Sequence, residues 1–250
     1  MKKLIVANWK MNGSFTKLKN DLVYYISNQS SSQENIVLAL PNIYLASAYS
    51  IISENNKNEG RLLKLASQDI SQFGGQGAYT GEVSGLLLQD IGVNYVIIGH
   101  SERRNLLHEG APVLLAKLEN ALTSNIVPIF CIGEAQVERE NNQYCDFLLN
   151  QLSLLLKITH PFNKLIIAYE PIWSIGTGVI PTDDQIQEIM ELIVAFMQKN
   201  FPHVKIITLY GGSVSGKNAD KLLNLSAVDG VLVGGASLNP DDFIKICRAS

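Results

Sequence analysis

The 250-residue chain has only three cysteines, Cys131, Cys145 and Cys247, and no CxxC spacing. An odd, scattered set gives no disulfide framework and no zinc site, and it fits a reducing compartment. Its four histidines, His100, His108, His160 and His203, are too dispersed along the chain to form a metal set. Charge of one sign is also lacking: 20 Lys+Arg against 23 Asp+Glu leave a formal charge of −3. That argues against nucleic acid as a partner, since a phosphate backbone asks for a clustered basic surface. No apolar run reaches the roughly 18 residues that a membrane helix needs. The opening MKKLIVANWKMNG is too short in apolar residues to act as a signal segment. A soluble, cytoplasmic protein is the expectation. Neither a GxxxxGK[ST] loop nor a GxGxxG turn occurs, so nothing supports nucleotide binding.

What is present is a repeated pattern. Hydrophobic residues make up 46% and charged residues 17%, enough apolar side chain for a sizeable core. Eight short apolar runs recur: Leu4–Ala7, Ile36–Leu40, Leu62–Ala66, Tyr95–Ile98, Ile126–Ile132, Leu165–Tyr169, Ile206–Tyr210 and Val228–Val233. They are rich in Val, Ile and Leu and lack alternation, as strands buried on both faces do. Between them the spacing turns helical, with Phe15, Leu18, Leu22 and Tyr25 in one segment and Ile186, Ile189, Ile193 and Phe196 in another. Thr182 with Gln185 reads as a capping box, and Asn239 before Pro240 as a helix start. An open mixed sheet is the alternative. Eight βα units without a linker favour an α/β fold in one domain over residues 1–250, a closed (β/α)8 barrel of eight parallel strands.

In such a barrel chemistry sits just past the C-terminal ends of the strands. Asn8 and Lys10 follow the first run, His100 the fourth, Glu170 the sixth, and Ser213 and the Gly234–Gly235 pair the last two. Glu170 ends LIIAYEP, where partial desolvation suits a base and Pro171 keeps the backbone extended. Judged singly it reads as a surface glutamate. His100, in VIIGHSERR, stands before a helix start whose N–H groups favour a neutral ring; singly it reads as a structural histidine. Lys10 can hold an anion at the mouth, although lysines are usually solvated. Three late loops carry glycine, at Ile175–Gly178, Tyr210–Ser213 and Gly234–Ser237, and suggest a phosphate cup. WSIGTG, from Trp173, reads as a lid or an ordinary loop. Cys131 reads as packing rather than as a nucleophile.

The ordered motifs ANWKMNG, GHSERR, CIGE, AYEPIWSIGTG, YGGSV and VGGASL resemble the triosephosphate isomerase family over residues 4 to 248. The resemblance implies Glu170 as catalytic base and His100 as neutral electrophile. It implies Lys10 and Asn8 as substrate-binding groups and Glu102 as support for the lysine and histidine. Gly176, Ser213, Gly234 and Gly235 would donate to phosphate. The implied reaction interconverts dihydroxyacetone phosphate and glyceraldehyde 3-phosphate through an enediolate, with no metal and no organic cofactor. The family also implies a homodimer. The loop from Asp69 to Ser84, with Thr80 reaching toward the neighbour's lysine site, would carry it; the bland reading is an exposed loop. One departure stands out: Val179 and Ile180 follow the GTG of the lid, where the family commonly has lysine first. Two other readings stay open on the sequence: another phosphate-binding barrel enzyme, and a non-catalytic binder of phosphorylated metabolites.

Overall fold

Short runs of β-branched and leucine side chains can be buried on both faces only if the sheet has an inside and an outside. The computed structural model, which describes residues 3–28, 35–55, 63–175 and 179–249, meets that need by closure. The strands are β1 (Leu4–Asn8), β2 (Asn35–Leu40), β3 (Leu63–Ser67), β4 (Tyr95–Ile98), β5 (Val127–Ile132), β6 (Lys164–Tyr169), β7 (Lys205–Tyr210) and β8 (Gly230–Val233). Each pairs in parallel with the next and β8 returns to β1, so the alternative of an open sheet is excluded. Leu62, the first residue of the third run, lies outside the described residues. The largest shift is in the last run. Val228 is buried but not in a strand, because its N–H is bonded to the Leu225 carbonyl in the preceding turn, at 3.2 Å.

Alternation along each strand sorts the core into two layers. Val6, Val37, Ala66, Ile97, Ile129, Ile166, Leu209 and Leu232 fill the barrel interior. Ile5, Ile36, Leu65, Val96, Phe130, Leu165 and Val231 face the helices. Each fully buried aliphatic side chain contributes roughly 1.5–3 kcal/mol.

The surrounding helices are α1 (Phe15–Asn28), α2 (Asn42–Asn55), α3 (Gly85–Asp90), α4 (Ser101–Leu106), α5 (Ala111–Thr123), α6 (Gln136–Glu140), α7 (Tyr144–Ser153), α8 (Asp183–Asn200), α9 (Ala219–Leu223) and α10 (Pro240–Arg248). The capping box is present at α8: Thr182 Oγ1 accepts from the Gln185 N–H at 3.3 Å, and Gln185 Oε1 accepts from the Thr182 N–H at 2.9 Å. At α10 the Asn239 side chain accepts from the N–H groups of Asp241 and Asp242 at 3.0 and 3.1 Å. The stripe Ile186, Ile189 and Ile193 is buried, with Phe196 packed against its edge. Phe15 departs from the expected stripe. It occupies the first position of α1, ahead of the first buried turn, and is 59% exposed, whereas Leu18, Leu22 and Tyr25 are buried.

The segment from Asp69 to Ser84 contains no helix or strand but is internally tied. The Ser71 N–H is bonded to the Val83 carbonyl at 2.9 Å, and the rings of Phe73 and Tyr79 stack at 4.3 Å. Its base is held by a charge cluster in which Lys117 Nζ contacts Asp69 Oδ1 and Glu109 Oε1, both at 2.6 Å, and Arg103 contacts the same two carboxylates.

Candidate active site

The turn after β1 places the first cation. Asn8 Oδ1 accepts the Lys10 N–H at 3.0 Å, and Lys10 adopts a left-handed φ of 52°. A non-glycine residue there costs about 1–2 kcal/mol, which the surrounding turn must overcome. Lys10 Nζ then reaches Glu102 Oε1 at 2.5 Å. Glu102 lies in the first turn of α4, two residues past His100.

His100 caps α4 with its side chain: Nδ1 accepts from the Glu102 N–H at 3.2 Å. A nitrogen that accepts a backbone N–H carries no proton, so the proton of the neutral ring is on Nε2. Nε2 lies 3.0 Å from Glu170 Oε1. Burial presses the His100 pKa down, but the carboxylates of Glu170 and then Glu102 press it up and prevail over burial and Lys10, so it lies above the ordinary value. That pull toward the cation and the N–H at Nδ1 oppose each other. The directional bond decides, because a cation would leave that N–H facing a proton.

Glu170 follows β6 and is 2% exposed. Its second oxygen accepts the Ser101 N–H at 2.9 Å. Glu170 thus rests against the start of α4, bonded to a backbone donor and to the imidazole. The packing behind it is tight, since a Cβ at Gly133 would fall 1.9 Å from the Glu170 carbonyl oxygen. Burial and the Glu170 carboxylate hold the Cys131 thiol well above its ordinary pKa, which agrees with a packing residue and not a nucleophile.

These side chains meet the late loops around one cavity of about 280 Å³, lined by Asn8, Lys10, His100 and Glu170 on one side and by Ser213, Gly234 and Gly235 on the other. Gly235 has open space where a Cβ would stand, and a Cβ on Gly234 would meet Lys10 Cε at 3.4 Å. Glu102 lies beside this cavity, not in its wall; it lines a neighbouring one with Lys10 and His100. Gly176 lies outside the described residues, as do Thr177 and Gly178.

Several participants carry no role in the sequence reading. Ser101 contributes only its N–H, and the walls include Ile175 and Leu232. Glu134, in the CIGE motif, is fully buried, and its Oε1 accepts from Trp173 Nε1 at 2.8 Å and Tyr169 Oη at 3.0 Å, with Arg139 Nε at 3.2 Å. Burial lifts the Glu134 pKa more than Trp173, Arg139 and Tyr169 lower it. Glu134 therefore anchors Trp173, the first residue of WSIGTG. Tyr210 is also buried, its phenol pushed up to about 12 by burial. A motif that joins a buried strand end to glycine and glutamate was the available signal for Glu134.

A family model described as Triosephosphate isomerase matches residues 3–250. Triosephosphate isomerase of Mycoplasma mobile is 39% identical over 249 residues, covering 99% of this chain and 99% of the relative. That of Mesomycoplasma hyopneumoniae is 38% identical over 250 residues, covering 98% of each. That of a Shewanella species is 38% identical over 249 residues, covering 98% of this chain and 95% of the relative. A closed parallel barrel, a carboxylate and an imidazole in contact at its mouth, and similarity along the whole length agree: the chain belongs to the triosephosphate isomerase family.

Proposed function

We propose that this chain is a triose-phosphate isomerase that interconverts dihydroxyacetone phosphate and D-glyceraldehyde 3-phosphate in glycolysis and gluconeogenesis. The observation that carries the reading is the contact of Glu170 with His100 in a cavity of three-carbon size beside Lys10. Moving a carbonyl along a phosphorylated triose needs a base for a C–H proton and a donor to the oxygen that gains charge. Glu170 is the base. It must leave the Ser101 N–H to reach a carbon in the cavity, and it then carries the proton between the two carbons. His100 donates from Nε2 to the substrate oxygens and stays neutral, a pattern already known for this enzyme family. Lys10 balances the charge of phosphate and enediolate, held in place by Asn8 and Glu102. Ser213, Gly234 and Gly235, with Gly176, form the phosphate side. Water must be kept out, because an enediolate phosphate can expel its phosphate. The scheme calls for no metal and no organic cofactor, and the whole chain acts as one catalytic barrel domain.

Assembly is part of this reading. Met11, Ile43 and Leu106 are 97%, 83% and 73% exposed. Met11 and Leu106 border a cavity of about 330 Å³ that also touches Lys10. Exposed apolar groups around a cavity mark an interface. The tied loop Asp69–Ser84, with Thr80 exposed at its tip, has the form of a plug for the same cavity on a second copy, in a two-fold homodimer. The enzyme works in the cytoplasm, away from membranes and nucleic acid. A coupled assay on glyceraldehyde 3-phosphate tests the activity: rapid isomerisation is expected, and none would overturn the reading. Sedimentation at micromolar concentration should report a dimer; a stable, fully active monomer would contradict the plug.

A further inference from the structure

At the opposite end of the barrel the strands begin with a second, unrelated constellation. Lys64 on β3, Lys164 on β6 and Lys205 on β7 precede Ala66, Ile166 and Ile207 by two residues, and those three fill the barrel interior. By strand alternation the three lysines form the outermost inward layer, at the floor. Lys164 and Lys205 are direct partners in the β6–β7 register. Tyr95, at the start of β4, closes the floor from within: Lys164 Nζ lies 5.0 Å and Lys64 Nζ 5.9 Å from its ring centre, and Lys164 Nζ donates to Tyr95 Oη at 3.3 Å.

Among the described residues no carboxylate lies within 4.0 Å of any of these three ammonium groups. Lys10, Lys17, Lys117 and Lys221 each have at least one, whereas exposed lysines such as Lys19 and Lys199 share the lack; what is particular to the floor is that Lys64 and Lys164 meet over one ring. The contrast is not one of composition, since the chain as a whole is acidic, at −3. Like charges gathered around one ring repel one another, and a multivalent anion relieves that repulsion. Lys164 also lines a cavity of about 400 Å³ with Asn125, Val127, His160, Phe162 and Asn163, so the floor has adjoining room.

We propose that this floor is a second anion site, distinct from the catalytic mouth, which takes an oligophosphate group of two or more linked phosphoryl units. Cations carried on three separate strands suit a linked pair or triplet of phosphoryl groups better than a single phosphate, and Tyr95 Oη can donate a hydrogen bond to the same anion.

Calorimetry with sodium tripolyphosphate at low ionic strength on the full chain tests this. Because the mouth also attracts phosphate, wild type should show two classes of site. K164Q/K205Q should keep one and bind the other at least tenfold more weakly, with kcat/KM on glyceraldehyde 3-phosphate unchanged within about twofold. K205Q alone, at an exposed position, guards against misfolding of the double variant and should weaken the floor class at least threefold. K19Q/K199Q, which removes two exposed lysines elsewhere, should keep both classes. A single class in wild type, both classes intact in K164Q/K205Q, or an equal loss in K19Q/K199Q would each overturn the proposal.

Discussion

Strand β6 carries Lys164 at one end and is followed by Glu170 at the other, and β4 runs from Tyr95 to the turn that presents His100. Six residues of extended chain separate these ends by about 20 Å. Yet the two ends solve opposite electrostatic problems. At the mouth the charges are held individually: Lys10 by Glu102, and Glu170 by His100 and the Ser101 N–H. At the floor Lys64 and Lys164 share a tyrosine, Lys205 is the strand neighbour of Lys164, and among the described residues none of the three has a carboxylate within 4.0 Å. The mouth's loops can turn side chains inward, as the left-handed Lys10 does, and so build pairs across strands. The floor's lysines sit in the strands themselves, fixed by alternation, and can only converge.

The mouth can be broken at several points. Glu170→Gln should keep fold and phosphate affinity and lower kcat by roughly 10²–10⁴-fold, the range for removal of a proton-transfer group. The same variant removes the carboxylate that raises the His100 pKa, so that pKa should fall, as read by NMR titration of the ring. A near-normal kcat would show that the base is misassigned. Lys10→Met should lower kcat/KM by about 10²–10³-fold through lost charge stabilisation, with a rise in KM; an unchanged inhibition constant for inorganic phosphate would place Lys10 outside the anion contact.

Smaller effects sharpen the contrast between Glu170, the proposed base, and Glu134, a fully buried carboxylate. Glu134→Gln should lower kcat about three- to tenfold through a loosened Trp173, visible in tryptophan fluorescence. Because burial raises the folded Glu134 pKa above its ordinary 4.5, this carboxyl weighs against the fold at neutral pH. That burden lifts as pH falls through the raised value toward 4.5. Denaturant titrations at two pH values should therefore show wild type gaining on Glu134→Gln as pH falls from 7 to about 5. The opposite trend would mean that burial does not dominate there. Val179→Lys, which restores the commoner lid residue, should change kcat by less than about tenfold, or about 1.4 kcal/mol. Val179 is half exposed and does not line the cavity.

Much of this was legible before any coordinates. The eight strands follow from apolar runs, because burial on both faces leaves no polar alternation to obscure them. Asn8, Lys10, His100 and Glu170 follow from standing just past strand ends. What the sequence could not convey is contact. Nothing in GHSERR tells that Ser101 offers its N–H to a carboxylate 69 positions away. Phe15 fits a helical stripe by spacing, but a stripe does not say where the core begins. The floor lysines are spread from position 64 to 205, and only barrel closure brings Lys64 and Lys164 to one ring.

The central claim is that a proton leaves one carbon and reaches the next through Glu170. Converting dihydroxyacetone phosphate in D₂O and examining C2 of the glyceraldehyde 3-phosphate formed tests it most directly. A carboxyl that exchanges with solvent should place deuterium at C2 in wild type, and Glu170→Gln should slow turnover and incorporation together. Turnover and deuterium incorporation in Glu170→Gln as rapid as in wild type would contradict it.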